Sequence, residues 1–339
     1  MSDRAFSLVI VGSGNIAGTY WNAIERLEGI NVTGLVSRSQ TRPAFLPSTI
    51  PIFDSIEAID CPCDAVALCT PNGTHAASAI AAAGACKHVL VEKVLDITSE
   101  AMDQMITACR AAGVTLAVSY QRRMSPDNQA VKRLIETGAL GRIFAADMRV
   151  KFWRDDSYYA SGAYRGGFEI DGGGPFIQQA AHNVDLFVWF FGMPDKVVSM
   201  LGTFAHSIEV EDHGVALLHY DRGMIGSITA SSACKPGFAT VLEIHSALGS
   251  IVMENDEITQ WTIEGVENPG NRRKFAVHDG AQSAAVADTA GHEAIIADFV
   301  AAIRDQREPA VPGESGRLAT DLVLEIYRNN LRPLGHRKQ

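Results

Sequence analysis

The sequence predicts an α/β protein of two domains, with a parallel sheet in the first domain and a largely antiparallel sheet in the second. The first half alternates short apolar runs with helical patterns, which is typical of βαβ units around a parallel sheet. The second half carries several β-type runs separated by turn residues, which indicates hairpins. The chain has 339 residues, which is long for one core and sufficient for two domains.

The elements of the first domain, residues 1–122, can be placed in order. Each predicted strand is a short apolar run, and each predicted helix has apolar residues at helical spacing. The predicted strands cover 7–11, 31–36, 65–69, 89–91 and 114–118, and the predicted helices cover 16–27, 75–83 and 99–112. In such a sheet, ligands bind beside the carboxyl ends of the strands.

The second domain, residues 123–339, has a different pattern. Helices are predicted over 127–137 and 175–191, with a strand over 143–152 and a glycine-rich polar loop between strand and second helix. Further strands are predicted over 197–201, 214–220, 224–230, 240–246, 250–253 and 258–263, with hairpin turns at 221–223 and 248–249. A polar stretch over 267–289 is predicted to be loop. Helices over 291–304 and 314–329 follow, and the last of them can pack back on the first domain.

Composition excludes several classes of partner. The net charge of −10 argues against nucleic acid and anionic membranes, because both favour clustered Lys and Arg. No apolar stretch approaches the roughly 20 residues that span a bilayer, and no signal-type segment precedes the first strand. The six cysteines are scattered without a redox or metal-ligand spacing, so no metal is predicted and a reducing cytoplasmic compartment is expected.

A glycine-rich turn links the first strand to the first helix. Gly12-Ser-Gly14-Asn15-Ile16-Ala17 fits the pattern G-x-G-x-x-G/A. The first glycine allows the tight turn, the second lets the backbone approach a pyrophosphate, and Ala17 permits close helix packing. The helix N-terminus offers free N–H groups to the anion. The turn therefore predicts dinucleotide binding, and the alternative is a tight turn without a ligand.

The end of the second strand bears on the choice between NAD and NADP. NAD enzymes usually carry an acidic residue here for the ribose 2′-hydroxyl, whereas this chain has Ser37-Arg38-Ser39. A guanidinium with flanking hydroxyls can bind a 2′-phosphate, so NADP is favoured over NAD. Alternatively, Arg38 is a solvated loop residue and the adenine ribose only touches Ser37.

Two further segments carry chemistry. Glu92-Lys93 ends the apolar run 89–91, where a buried parallel strand presents its functional residues. In the second domain, three glycines precede a predicted helix that places Gln178, His182 and Asp185 at i, i+4 and i+7, on one face. His182 could be a satisfied core histidine, but the glycines favour a ligand because they let the backbone approach one closely.

At this point the chain resembles the Gfo/Idh/MocA oxidoreductases, named for glucose–fructose oxidoreductase and inositol dehydrogenase. The resemblance covers nearly the whole length and is carried by several motifs in order. Besides the glycine turn they are Cys69-Thr-Pro71-Asn72-Gly-Thr-His75, Gly84-Ala-Cys-Lys-His-Val-Leu-Val-Glu92-Lys93, Gln121-Arg-Arg-Met-Ser-Pro126, Gly172-Gly-Gly-Pro-Phe-Ile-Gln178-Gln-Ala-Ala-His182-Asn-Val-Asp185, and the strand pattern over 212–261.

The resemblance implies an N-terminal Rossmann domain and a C-terminal α/β domain whose open sheet often makes oligomer contacts, here a homodimer or homotetramer. It also implies hydride transfer between a nicotinamide and a carbinol carbon of a sugar, sugar derivative or cyclitol. By position, Lys93 would hydrogen-bond the reacting hydroxyl, and His182 would be its general base in oxidation and general acid in reduction. The residues that would line the cofactor by position are Thr70, Pro71, Asn72, His75, Glu92 and Gln121.

The chemistry of these residues agrees with those roles. Imidazole titrates near neutral pH, and an ammonium stabilises a developing alkoxide. Many family members carry Asp where this chain has Gln178. Because a glutamine cannot take a proton, Gln178 is predicted to orient the substrate, as in the branch that acts on nucleotide-linked or modified sugars.

The loop over 152–167 also resembles family segments that border the substrate. Arg154, Tyr159 and Arg165 could hold hydroxyls or an anionic group. They could equally form a solvated loop or an oligomer contact.

Two other functions stay open at the level of sequence. One is a catalytically silent dinucleotide-binding regulator, against which the presence of both Lys93 and His182 speaks. The other is a reductase of a non-sugar substrate such as a cyclic diol, an imine or a tetrapyrrole.

A last expectation concerns the peptide bond after Lys93. Family members usually have a cis bond to proline there, but Val94 follows here, so a trans bond is expected.

Overall fold

The computed structural model describes residues 4–270 and 289–331. They form two compact units, one of residues 4–121 and 289–317 and the other of residues 122–270 and 318–331. The predicted division, which put residues 1–122 in one domain and everything after them in the other, differs from this one in residue 122 and in residues 289–317. Residues 1–3 of the predicted first domain, most of the predicted loop over 267–289 and residues 332–339 lie outside the described residues.

The first unit contains a six-stranded sheet in which every pair of neighbouring strands is parallel. The strand order is β3-β2-β1-β4-β5-β6. The strands are β1 (Phe6–Val11), β2 (Ile30–Val36), β3 (Ile52–Phe53), β4 (Ala65–Leu68), β5 (His88–Val91) and β6 (Leu116–Val118). The predicted parallel sheet is confirmed. β1, β4 and β6 are buried throughout, which is why they appear in the sequence as continuous apolar runs.

Eight α-helices lie within the described residues. They are α1 (Asn15–Ile24), α2 (His75–Gly84), α3 (Ser99–Ala111), α4 (Pro126–Glu136), α5 (Asp156–Ala160), α6 (Ala181–Phe191), α7 (Ala290–Asp305) and α8 (Gly313–Arg328). None of them is long and apolar enough to cross a membrane. The division between the units falls inside α8. The start of α8 forms ion pairs with α3 of the first unit, Glu314 with Arg110 at 2.7 Å and Arg317 with Asp103.

The second unit contains a seven-stranded sheet, which is antiparallel except where β7 and β10 run parallel. The strand order is β13-β12-β11-β7-β10-β9-β8. The strands are β7 (Ile143–Lys151), β8 (Lys196–Gly202), β9 (His213–Tyr220), β10 (Met224–Ser231), β11 (Val241–Ser246), β12 (Gly249–Glu254) and β13 (Glu257–Trp261). The largely antiparallel sheet predicted from the hairpin signals is confirmed.

The two faces of this second sheet differ. α6 packs on the inner face, where Asn183 Nδ2 contacts Met148 Sδ of β7 at 3.8 Å and Phe187 is fully buried. On the outer face, register pairs Val198 with Leu217 and Met200 with Val215, and all four side chains are exposed. One face of the sheet is therefore a core, and the other presents apolar side chains to solvent.

Two elements differ from the prediction in the loop and helix that follow β7. The short helix α5 lies within the predicted polar loop, where Asp155 caps it by accepting a hydrogen bond from Tyr158 N at 3.0 Å. The helix predicted over 175–191 begins only at Ala181. Its expected first turns are irregular, because Gln179 N and Ala180 N both donate to Pro175 O, at 3.2 and 2.8 Å. The hydrogen bond from Ala180 N spans five residues and interrupts the i to i−4 pattern, which resumes where Val184 N donates to Ala180 O at 2.8 Å.

Candidate active site

The glycine turn after β1 has the geometry of an anion-binding site. Gly12 has a φ of 111°, and a Cβ there would lie 2.7 Å from Cys69 O, so both conformation and packing require glycine. A Cβ at Gly14 would meet no atom within 4 Å, so packing within the protein does not require that glycine. Gly14 is the N-cap of α1 and provides no side-chain cap, which leaves the first N–H groups of the helix for a ligand.

The residues around this turn are consistent with a bound dinucleotide. Asn15 is exposed and Ile16 half-buried at the start of α1, while Ala17 is fully buried against the sheet. A small residue at 17 lets the helix pack closely, as the motif requires. The open space at Gly14 and the uncapped helix start fit a pyrophosphate, which would accept hydrogen bonds from the backbone of this turn.

The end of β2 presents the residues predicted to reach the adenine ribose. Ser37 is buried, and its hydroxyl donates to Ser13 Oγ at 3.1 Å, which ties the end of β2 to the glycine turn. Arg38 is exposed, and within the described chain it forms no hydrogen bond or ion pair. Its guanidinium is therefore available to a ligand at the ribose end of the site.

The segment after β4 contains four residues predicted to line the cofactor. Thr70 Oγ1 is buried without a hydrogen-bond partner in the described residues, Pro71 is half-buried and Asn72 is buried in a short 3-10 turn. His75 is fully buried, and its two ring nitrogens lie 2.8 Å from Val94 O and 2.8 Å from Thr70 O. The His75 side chain therefore joins the segment after β4 to the segment after β5 rather than facing solvent.

Glu92 and Lys93 follow β5 directly. Glu92 is buried, and its Oε2 accepts a hydrogen bond from Lys93 N at 3.2 Å. Its Oε1 lies 3.5 Å from Nε2 of buried His292, which is near the start of α7. Burial raises the pKa of the Glu92 carboxyl, but His292, Lys93 and Tyr20 outweigh that effect and hold the pKa below its ordinary value. The site therefore keeps a negative charge directly beside residue 93.

The peptide bond between Lys93 and Val94 is cis. The expected trans bond, which rested on the steric cost of a cis bond before a residue other than proline, is therefore wrong. Val94 itself is buried, with its carbonyl oxygen bound to His75.

Sequence reasoning missed the part of this site that comes from α7. His292 and Tyr20 pack edge to face with ring centroids 5.5 Å apart, and both interact with the Glu92 carboxylate. Gly291 is glycine because a Cβ there would lie 2.9 Å from Cγ of Gln121. Gln121 Oε1 is buried without a hydrogen-bond donor in the described residues, which suits a ligand amide. No local signal links residues near 290 to β5, so the sequence could not have shown this contact.

In the second unit, two of the three glycines before α6 are required by contacts within the protein. Gly173 has a φ of 145°, and a Cβ there would collide with the hydroxyl of Tyr327. A Cβ at Gly174 would collide with the backbone of Glu211. The groups that lie close to these glycines are thus Tyr327 and Glu211 of the protein itself, whereas the sequence suggested a ligand.

Glu211 holds this glycine segment in place. Its buried carboxylate accepts hydrogen bonds from Gly174 N at 3.1 Å, Phe176 N at 3.4 Å and the Tyr327 hydroxyl at 2.9 Å. Burial raises the pKa of the Glu211 carboxyl to about 7, even though these donors oppose the shift. A nearly neutral pKa at this position makes the segment before His182 sensitive to pH.

Gln178, His182 and Asp185 do not share one helical face as the spacing predicted. Gln178 precedes the regular helix, and its Nε2 donates to Asp171 O at 2.7 Å. His182 is half-buried in the first turn of α6. Asp185 is buried and forms a two-point ion pair with Arg123, at 2.8 and 2.6 Å. Asp185 therefore anchors α6, and Gln178 and His182 are the half-buried members of the set.

The loop after β7 places its predicted substrate residues as follows. Arg154 is buried, and its Nη1 donates to Trp153 O at 2.7 Å. The Tyr159 hydroxyl lies 2.7 Å from Ser232 Oγ, and burial raises its pKa to about 12. Arg165 is half-buried, with its guanidinium carbon 4.4 Å from the ring centroid of Tyr158. Of the alternatives given for this loop, the solvated one does not fit these three side chains, which are buried or half-buried within the second unit.

The six cysteines form no disulfide bond in the described structure. All six are free thiols. Burial raises the pKa of Cys63 and of Cys109 to about 11 and raises the pKa of Cys69 well above its ordinary value. These three thiols are therefore protonated and poorly nucleophilic at neutral pH.

Both halves of the chain match known protein families. Residues 6–120 match the model of an oxidoreductase family with an NAD-binding Rossmann fold, and residues 128–252 match the GFO/IDH/MocA C-terminal domain. Among curated proteins, 1,5-anhydro-D-fructose reductase of Ensifer adhaerens is 26% identical over 93% of this chain and 94% of its own length. Inositol 2-dehydrogenase of Rhizobium meliloti is 28% identical over 82% of this chain and 81% of its own.

A solved structure is similar over both units. It is the WlbA dehydrogenase from Bordetella pertussis in complex with NADH and UDP-GlcNAcA. That protein is 29% identical to this chain, with a TM-score of 0.84, and the alignment covers 96% of each chain.

Proposed function

Because the chain belongs to the GFO/IDH/MocA family of oxidoreductases, we propose that it transfers a hydride between nicotinamide C4 and a carbinol carbon of a sugar, sugar derivative or cyclitol. The observation that carries this proposal is the pairing, within one parallel sheet, of an anion-binding glycine turn after β1 with Glu92-Lys93 after β5. Both follow the carboxyl ends of their strands, where this architecture binds its ligands.

The proposed roles follow from the side-chain chemistry. In oxidation the imidazole of His182 takes the hydroxyl proton, and in reduction it returns that proton to the oxygen. The Lys93 ammonium stabilises the negative charge that develops on the oxygen as its proton leaves. Gln178 cannot take a proton and serves to orient the substrate. The bound nicotinamide supplies the hydride acceptor or donor.

We propose a nucleotide-linked or otherwise modified sugar as the substrate class within this range. The support is the similarity to the WlbA dehydrogenase, whose structure contains UDP-GlcNAcA, and the amide of Gln178 in place of a carboxylate. Sugars, inositols and sugar nucleotides, each tested with NAD⁺ and NADP⁺ by absorbance at 340 nm, would identify the substrate.

The catalytic roles are tested by two substitutions. Lys93→Met and His182→Ala should each lower turnover by orders of magnitude while leaving cofactor affinity within a few-fold. Lys87→Met, in the same unit, is the matched control and should keep normal turnover. A near-normal rate in either catalytic variant would remove that residue from the mechanism.

We also propose that NADP is the preferred cofactor. The support is exposed Arg38 at the end of β2, flanked by two serine hydroxyls, where an acidic residue would otherwise disfavour a 2′-phosphate.

A second copy of this chain is the proposed partner. The outer face of the second sheet carries exposed apolar side chains on three neighbouring strands. They are Val198, Met200, Val215, Leu217 and Ile225. A two-fold axis over such a strip would bury each copy's apolar side chains against the other's, giving a homodimer or, with a second contact, a homotetramer. The free thiols agree with a cytoplasmic location for this assembly.

A further inference from the structure

Two arginines flank one tyrosine ring in the second unit. The guanidinium carbon of Arg165 lies 4.4 Å from the ring centroid of Tyr158, and that of Arg154 lies 5.5 Å from the same centroid. We call Arg154, Tyr158 and Arg165 the arginine–tyrosine cluster. Burial raises the pKa of Tyr158, so the phenol is neutral and does not balance either cation.

The positive charge of Arg165 is not balanced by the described protein. Arg165 forms no ion pair there, and its Nε is buried without a hydrogen-bond acceptor. Its partners are instead the rings of Tyr158 and Tyr164, with the latter centroid at 5.4 Å. A buried donor without an acceptor is rare in native proteins and points to a missing anion or water.

The acidic residues of the neighbourhood are engaged elsewhere. Asp171 accepts a hydrogen bond from Gly166 N at 2.9 Å. Asp212 accepts from three consecutive backbone N–H groups, those of Phe204, Ala205 and His206, at 2.8, 2.7 and 3.0 Å. Asp155 is exposed and caps α5. Within the described residues, none of these three carboxylates forms an ion pair with Arg165, so they leave the positive charge of that guanidinium available to a ligand.

The cluster is tied to the segment that leads to His182. The hydroxyl of Tyr158 accepts a hydrogen bond from Nε2 of Gln179 at 3.1 Å. Gln179 follows Gln178 directly and precedes His182 by three residues. A group bound by the cluster would therefore lie along the same segment that orients the reacting hydroxyl in the proposed function.

From this geometry we infer that the arginine–tyrosine cluster is an anion subsite for the substrate, with Arg165 as its principal ligand-binding group. The inference rests on the proposed oxidoreductase function and narrows its substrate class to sugars that carry an anionic oxygen group. A planar guanidinium matches a carboxylate or a phosphate with two parallel hydrogen bonds. The anion is either the carboxylate of a sugar acid or the diphosphate of a nucleotide-linked sugar.

Titration calorimetry on the NADP⁺-loaded protein tests the inference directly, because binding does not depend on turnover. The four ligands are glucose, glucuronate, UDP-glucose and UDP-glucuronate, which vary carboxylate and diphosphate separately. Wild type should bind at least one anionic ligand about 10-fold or more tightly than glucose, and Arg165→Gln should abolish that preference. Arg328→Gln, which removes an exposed arginine paired with Glu325, is the matched control and should bind as wild type does.

The pattern of losses identifies the source of the anion. If Arg165→Gln weakens glucuronate but not UDP-glucose, the subsite holds a carboxylate, and the opposite pattern identifies the diphosphate. Arg165→Lys keeps the charge without the two-point geometry, so it should retain part of the preference. Unchanged NADP⁺ affinity in both variants shows that the fold is intact.

Two results would overturn the inference. One is equal affinity of wild type for glucose and for all three anionic ligands, and the other is a loss in Arg165→Gln that is the same for charged and neutral ligands. A different result would contradict the proposed function, namely the absence of hydride transfer from every sugar and cyclitol tested. Rapid oxidation of neutral sugars, unaffected by Arg165→Gln, would keep the function and remove only the anion subsite.

Discussion

Arg38 is the residue whose position most directly bears on cofactor choice. It is exposed at the carboxyl end of β2, next to Ser37, whose hydroxyl is bound to the glycine turn. The neighbouring Arg42 differs because its Nη1 donates to Pro47 O. One of these two arginines is therefore held by the protein, and the other, Arg38, is the one that we propose binds the 2′-phosphate of NADP.

Replacing Arg38 with alanine should weaken NADP binding by about 10-fold or more, because hydrogen bonds to a charged group contribute about 1.5–3 kcal/mol each. NAD binding should change little, since its ribose carries no 2′-phosphate. Fluorescence titration of both reduced cofactors measures the two affinities. Arg42→Ala is the matched control, and an equal loss for both cofactors in Arg38→Ala would remove the phosphate argument.

The conformation of a residue could be predicted from the sequence where a pattern of adjacent residues determines it. The turn at Gly12 and Gly14 has a pattern that depends on a few adjacent residues, and the structure shows the uncapped helix start it implies. His75 stays a predicted cofactor-lining residue, and its ring nitrogens lie 2.8 Å from two backbone carbonyl oxygens, a contact that the sequence did not indicate. Which side of a loop a side chain occupies depends on distant backbone, and no local pattern contains that information.

At the scale of elements, the segment before α6 depends on one buried carboxylate. Glu211 keeps its proton in the folded protein up to about pH 7, whereas in the unfolded chain it loses the proton near its ordinary pKa of 4.5. Between those values the unfolded state binds fewer protons, so the contribution of Glu211 to stability falls as the pH rises. Over the whole window the fall amounts to at most about 3 kcal/mol.

Glu211→Gln should remove that pH-dependent fall in stability. The amide is neutral at every pH, as the Glu211 carboxyl is below pH 7, so the stability of the variant should fall less between pH 5 and pH 8 than that of the wild type. Calorimetric melting at intervals across that range measures the slope, with Glu325→Gln, at a partly exposed position of α8, as the control. Parallel curves for wild type and Glu211→Gln would contradict the raised pKa.

The elements themselves were predictable to different degrees. β1 and β4 could be recognised as apolar runs, because a strand buried on both faces has few polar positions. β3 has two residues and no periodicity to detect. The late start of α6 was not predictable either, because the shared carbonyl of Pro175 breaks a pattern that the residue types alone would continue. Residues 289–317 belong to the first unit, and this could not be predicted, because helical spacing of apolar residues does not indicate which unit a helix packs in.

For the whole molecule, the proposed assembly through the outer face can be measured. Leu217→Lys puts a charge in the centre of the apolar strip, opposite Val198, and should shift the protein toward monomer because the charge must be desolvated on association. Light scattering after size exclusion at micromolar concentration gives the mass. Ile80→Lys, at another exposed apolar position in α2, should leave the mass unchanged. A monomeric wild type would refute the assembly.

The first unit is completed by a segment that lies far along the chain. Ribosomes extend a chain at about 5–20 residues per second, so residues 122–285 take on the order of ten to thirty seconds to appear after Gln121. Until then α1 lacks its contact with α7, Glu92 lacks His292, and Arg26 lacks Glu293, its partner at 3.3 Å. During this interval the core of the nascent nucleotide-binding unit is incomplete. We therefore expect chaperones and proteases to act on this unit mainly before α7 has been synthesised.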